Sequence, residues 1–184
     1  VDALFAPALL WFCRAMGVRL WVLFHGVEII ELQKNHPDLL EEIHRQAERF
    51  FFNSKATRGL FIEKTGREPH PNQILHPSID FEKLKSLAQD PLSLGISEDI
   101  TIFSSVCRLV ERKGLHRSVR AFREMMEDGA LKDAVYVVAG TGPEEDRLRR
   151  TAGEEEGRSI LFPGYISDAE KKYLLKRSVA FLHP

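Results

Sequence analysis

Arg108, Arg112, Lys113, His116 and Arg117 crowd around Gly114, where an apolar run gives way to a helical pattern. Helix N-termini carry partial positive charge and normally attract acids. Here the helix expected over Leu115–Glu127 starts among cations and ends among Glu124, Glu127 and Asp128. Each exposed charge placed against the helix dipole costs about 0.3–1 kcal/mol at low salt. A phosphate at the helix start would reverse that sign, because free backbone N–H groups and cations would converge on it. The pattern predicts an anion site; the alternative is a set of long side chains that point into solvent.

Two neighbouring helix starts supply the contrast. Ser167-Asp168-Ala169-Glu170 has capping-box spacing ahead of a helix over Asp168–Arg177, with Lys176 and Arg177 at its far end. Pro143 precedes Glu144, Glu145 and Asp146, with Arg147, Arg149 and Arg150 later in a helix expected over Glu144–Thr151. Both starts are already complemented, and a diphosphate at Pro143 would meet three carboxylates.

These residues depend on the elements that carry them. Ile100–Val106, Ala134–Ala139, Ser159–Phe162 and Val179–Leu182 read as strands, and amphipathic helices separate them. In the first half, Leu20–Phe24 reads as a buried strand that enters a turn at His25-Gly26. Helices are expected over 4–16, over 38–46 with Asp38 as N-cap, and from Lys55 to a stop at Gly66 with Ser54 as N-cap. "RFFFNS" reads as a strand, "QILHPSID" as a short strand and turn, and 85–99 as turn-rich sequence. Apolar runs alternating with helices predict an α/β fold of parallel sheets, whose ligands bind beyond the C-terminal strand ends. That rule directs attention to the loops His25-Gly26, Asn53-Ser54, Cys107–Gly114, Gly140–Pro143 and Pro163–Ser167.

The 184 residues carry a net charge of −1, which argues against a nucleic-acid partner. Cys13 and Cys107 make no disulfide framework, and no Cys/His cluster has metal-ligand spacing. The longest uncharged apolar run, 3–13, is shorter than the ~20 residues a bilayer needs and has no basic stretch before it. It reads as a buried helix, with a membrane-surface element as the alternative. The chain begins at Val1 and ends just after an apolar strand, so it reads as an internal fragment.

"SSVCRLVERKG", "VYVVAGTGPEEDRLR" and "ILFPGYISDAEKKYLLKRSVAFLHP" resemble, in that order, the C-terminal domain of glycosyltransferase family 4. "VLFHGVEI", "FFFNSKATRGLF" and "QILHPSIDFEKL" resemble the end of that family's N-terminal domain and its crossover. The resemblance implies a retaining, nucleotide-sugar-dependent enzyme of GT-B fold, built from two Rossmann-like parallel-sheet domains, both incomplete in this chain. Residues 1–68 would close the N-terminal, acceptor-side domain. Residues 69–98 would hold the hinge and the first strand of the second domain, and 99–184 the first part of the donor-binding domain. It implies that Arg108 and Lys113 grip the donor diphosphate and that His25 lies near the transferred sugar. Gly140 and Gly142 would pass close to the nucleoside, with Tyr165 and Ile166 against the base. It implies no metal and no cofactor apart from the nucleotide-diphosphate sugar. The acceptor, whether sugar, lipid or small molecule, is not legible. The expected location is the cytoplasm, with peripheral membrane contact at the inner face if the acceptor is a lipid.

The chain departs from the family pattern at Cys107, where glycine is usual, and at Ser78 in the crossover turn. The acidic pair that grips sugar and ribose would follow Pro184. The isolated chain is therefore expected to bind nucleotide weakly and transfer little or no sugar. A degenerate nucleotide-binding module without turnover is the alternative reading. A dinucleotide-dependent oxidoreductase fits worse, because Glu145 stands where G-x-G-x-x-G needs its third glycine.

Overall fold

The computed structural model describes residues 6–92 and 94–183. The chain divides into two units, Val1–Ile79 and Asp80–Pro184.

The first unit holds a three-stranded parallel sheet of β1 (Leu20–Phe24), β2 (Ala47–Phe52) and β3 (Asn72–Ile74), in the order β1-β2-β3. Four helices surround it: α1 (Ala6–Met16), α2 (Val27–Asn35), α3 (Pro37–Gln46) and α4 (Lys55–Thr65). Val22, Phe24, Phe50, Phe52 and Phe61 form a buried cluster with Ile29 and Ile43. Phe61 of α4 lies against Phe24, Phe50 and Phe52, with ring centroids 5.2–6.0 Å apart. Ser54 caps α4 by accepting the Thr57 N–H, and Gly66 ends the helix in the left-handed conformation, both as the sequence predicts.

One expectation is corrected here, and two features go beyond the sequence reading. Asp38 is not an N-cap: the cap position is His36, and Pro37 takes the first helical turn, where its missing N–H costs nothing. Helix α2 follows Gly26 directly and has no capping side chain, so it carries no N-cap signal. The strand after the proline cluster belongs to the first sheet, because Asn72, Gln73 and Ile74 pair with Phe50, Phe51 and Phe52. The Phe50 N–H donates to the Pro71 carbonyl, and the Leu75 N–H to that of Phe52. The first unit runs to Ile79. The first two residues of the helix expected over 4–16 lie outside the described residues.

The second unit opens with a short exposed helix, α5 (Phe81–Ser86), capped by Asp80. It then alternates β4 (Thr101–Val106), α6 (Leu115–Glu127), β5 (Ala134–Ala139), α7 (Glu145–Ala152), β6 (Ile160–Gly164), α8 (Asp168–Arg177) and β7 (Ser178–Phe181). The sheet is parallel, in the order β6-β5-β4-β7. Every residue of β5 is buried, because helices cover both faces of this central strand. Ala134, Tyr136 and Val138 face the core of Leu115, Val119, Phe122 and Leu148. Val135, Val137 and Ala139 face the core of Ile102 and Leu174. This two-sided burial is why β5 reads as one continuous apolar run. Among the described residues no helix is long and apolar enough to cross a membrane.

Candidate functional site

The strand order of the second sheet marks its own crevice. The chain proceeds from β4 to β5 to β6 in one direction, then returns with β7 on the other side of β4. The order of the strands thus reverses between the neighbours β4 and β7, and ligands of open parallel sheets bind at such a reversal. Lys113 follows β4 and His183 follows β7, and their Nζ and Nε2 atoms lie 3.4 Å apart. The His183 ring stacks on Phe181, centroid to centroid at 6.1 Å.

Between β4 and α6 the chain forms a single 3-10 turn, Glu111–Lys113. Gly114, at φ 63°, joins that turn to the helix. The Gly114 N–H donates to Glu111, and the Arg117 N–H donates to Gly114. Helix α6 has no side-chain cap, no acid in its first turn and no base in its last. The reversal read from the sequence is thus built into the folded unit. Arg120–Glu124 and Arg123–Glu127 pairs at 3.9 and 3.3 Å engage acids near its end. The other two starts are complemented. Ser167 and Glu170 form a reciprocal capping box on α8, and the Ser167 N–H holds the Glu170 carboxyl below its usual range. Arg147 pairs with Glu144, and Arg149 with Glu145 and Glu156.

Next to this crevice, a cleft of about 210 Å³ brings together Arg108, Gly140, Tyr165 and Ile166, with Lys171 and Asp168 at its wall. The Arg108 side chain is exposed. Tyr165 is 82% exposed, a free aromatic face. Ile166 is 8% exposed and packs in the core on the Leu174 side, so it floors the cleft. Asp168 is held below its ordinary range, chiefly by the hydrogen bond it accepts from Lys171. Burial pushes the Cys107 thiol up, with the nearby Lys113 charge opposing the shift.

Gly140 and Gly142 are required by another loop of the same unit. A Cβ on Gly140, at φ 134°, would sit 1.9 Å from the Cys107 carbonyl oxygen. A Cβ on Gly142 would sit 2.3 Å from that of Leu109. The two loops are hydrogen-bonded side by side beyond the sheet: Cys107 N–H to Ala139, Leu109 N–H to Thr141, and Glu144 N–H to Leu109. This contact fixes the backbone that presents Arg108. Gly140 also lines the cleft, whereas Gly142 lies under Leu109.

His25 belongs to the first unit and is exposed at the C-terminal end of β1. It lines a separate cleft of about 260 Å³ with Asn53, His76 and Ser78. Its loop is tightly held. Buried Glu28 accepts hydrogen bonds from the backbone N–H groups of both His25 and Gly26. The Asn53 amide donates to the His25 carbonyl at 2.9 Å, and the Thr57 hydroxyl donates to the Asn53 side chain at 2.5 Å.

Several contributors escape the sequence reading. Glu28 looks like an ordinary first-turn acid. Ser105 and Tyr136 look like interior strand positions, and only the folded packing reveals that the Tyr136 hydroxyl meets both Ser105 of β4 and Ser118 of α6. Burial raises the Tyr136 phenol above its usual range, with the Ser105 and Ser118 hydrogen bonds opposing. His183 carried the only available signal, a histidine directly after a strand. Among the described residues no three His, Cys, Asp or Glu side chains gather as a metal site.

Comparison with known proteins follows the same outline. Residues 88–184 match the family described as glycosyl transferases group 1. An Escherichia coli K12 protein provisionally named as the colanic acid biosynthesis glycosyltransferase WcaL is 25% identical over 177 residues, covering 93% of this chain and 42% of that protein. The Anabaena protein Alr3699/HepE, solved in complex with UDP and glucose, superposes with a TM-score of 0.74 at 18% identity, covering 98% of this chain and 49% of that one. An α,α-trehalose-phosphate synthase (UDP-forming) from Burkholderia xenovorans, solved with glucose-6-phosphate, gives a TM-score of 0.69 at 15% identity, covering 94% and 49%. The chain thus spans about half the length of these proteins or less, and its parallel α/β units have the GT-B fold of such neighbours.

Proposed function

The chain belongs to the glycosyl transferases group 1 family, and on that premise we propose that it carries the diphosphate grip of a retaining transferase of family 4. The reaction moves a sugar, of hexosyl type, from a nucleotide-diphosphate sugar to an acceptor. The observation that carries this reading is the uncapped, cation-flanked start of α6 at the β4/β7 reversal.

Breaking the bond between the anomeric carbon and the diphosphate leaves negative charge on the leaving oxygen. Arg108 offers a planar fork of donors to that charge, and Lys113 a mobile point charge. The N–H groups of the α6 start add fixed dipoles. Groups that strengthen as charge develops lower the barrier without a metal or a further cofactor. Exposed Tyr165 offers the nucleoside base a stacking face, and the Gly140 loop borders it. In the first unit, His25 serves the sugar or acceptor side through a hydrogen bond. The acceptor class stays open among sugars, lipids and small molecules. We place the enzyme in the cytoplasm, at the inner membrane face if the acceptor is a lipid. The 184 residues by themselves bind nucleotide and transfer little sugar; measurable transfer by them would refute that part.

The test is thermal unfolding with UDP, GDP and ADP, for wild type and Lys113→Ala. A diphosphate at about 100 times its dissociation constant stabilises by about 2.7 kcal/mol. One nucleotide is expected to raise the wild-type midpoint, and Lys113→Ala to lose about tenfold in affinity. No shift with any nucleotide on a cooperatively folded chain would sink the reading.

A further inference from the structure

The phenol of Tyr136 is fully buried, yet it touches two of the elements that shape the β4/β7 crevice, β4 and α6. Its oxygen lies 2.7 Å from Ser105 Oγ on β4 and 2.9 Å from Ser118 Oγ on α6. The Ser105 hydroxyl donates onward to the Leu182 carbonyl, one residue before His183. The Ser118 hydroxyl donates to the carbonyl of Leu115, the first residue of α6. The chain Leu182–Ser105–Tyr136–Ser118–Leu115 therefore links the end of β7, one residue before His183, to the start of α6, two residues after Lys113.

Proton counting explains how the chain works. Three hydroxyl protons serve four contacts. With the Ser105 proton on Leu182, Tyr136 must donate to Ser105. Ser118 then shares its single proton between Leu115 and Tyr136. Removing the phenol oxygen leaves each serine with a carbonyl acceptor, so Tyr136→Phe orphans no donor. What it removes is the link between the start of α6 and the end of β7.

We propose that Tyr136 is a positioning residue, which sets the spacing of Lys113 and His183 across the crevice and so tunes its affinity for a nucleoside diphosphate. The inference rests on the diphosphate reading above. Tyr136 touches no ligand; it acts through Ser118 and Ser105.

The experiment compares wild type, Tyr136→Phe and Ile102→Ala by calorimetric titration with UDP, GDP and ADP, and by amide hydrogen exchange without nucleotide. Ile102 is buried on the opposite face of the sheet near the start of β4, away from the strand ends that carry the cleft, so its truncation reports a purely structural loss. In Tyr136→Phe, exchange is expected to quicken at Arg117 and Leu182, whose N–H groups donate to Gly114 and Ser104, and not along α8. Its affinity for the diphosphate that binds wild type is expected to fall about five- to tenfold, as for a lost hydrogen bond. Ile102→Ala is expected to keep wild-type affinity while losing more stability. Unchanged affinity in Tyr136→Phe, or an equal loss in Ile102→Ala, overturns the proposal. Failure of the diphosphate reading looks different: wild type then binds none of the three nucleotides, and this inference falls with it.

Discussion

After β1 the first unit turns through His25-Gly26 into α2; after β4 the second turns through a 3-10 turn and Gly114 into α6. Both helices begin at a glycine with positive φ and without a capping side chain of that residue. In the first, buried Glu28 folds back onto two backbone N–H groups and supplies the negative charge from within. In the second, no acid stands in the first turn, and Lys113, His116 and Arg117 gather there instead. One sheet edge is electrostatically closed by its own chain. The other has no such acid and gathers cations beside the cleft that carries Arg108, where the proposed function puts the diphosphate.

This contrast can be broken from either side. The largest effect is expected from Gly140→Ala, which sets a methyl group against the Cys107 carbonyl and forces apart the loops that present Arg108. A cost of about 3 kcal/mol or more is expected, because neither backbone has room to yield. It should appear as faster amide exchange along β5. Exchange like that of the wild type would mean the loops relax freely.

Next is Glu28→Ala, which orphans the N–H groups of His25 and Gly26 and should cost about 2 kcal/mol. Both tryptophans, Trp11 and Trp21, lie in the first unit, so urea unfolding followed by their fluorescence isolates its stability. This variant also sharpens the contrast: it opens the first edge, where added phosphate should then restore part of the loss. Phosphate without effect would show that an open helix start alone does not make an anion site.

A smaller loss, about 1 kcal/mol, is expected from Ser167→Ala, seen as fraying of the first turn of α8. An unaffected turn would show that Glu170 holds it alone.

The smallest effect concerns pH. Burial lowers the pKa of His44, which stacks near Phe50 and Phe61. The folded first unit therefore binds fewer protons there than the unfolded chain does. Its contribution is complete above about pH 6.5 and declines as pH falls through and below that value. The urea midpoint should drop further on acidification in wild type than in His44→Gln. Equal slopes would remove His44 from the account.

The second unit was the more legible. Its helices follow one-sided periodicity with clear stops, so Leu115–Glu127 and Asp168–Arg177 are found where the pattern puts them. In the first unit α2 lacked a capping signal, and α5 of the second is short with no buried residue. The strand after the prolines was read, but not its pairing with β2, because the prolines before it read as a boundary. Of the site, the charge reversal at α6 was plain, because formal charges are visible in a sequence. Its supports were not, because Ser105, Tyr136 and Ser118 lie on three separate elements and become partners only when α6 packs on the sheet. The glycines were visible, but what approaches them was not: it is the backbone of Cys107 and Leu109.

That last contact also governs how this site can change. Because the two loops hydrogen-bond to each other past the end of the sheet, their lengths are coupled. An inserted residue in either would throw every later pairing out of step and swing Arg108 off its position. Under the proposed function, variation of the donor preference should leave both loop lengths alone and change side chains that take no part in the pairing, Tyr165 first.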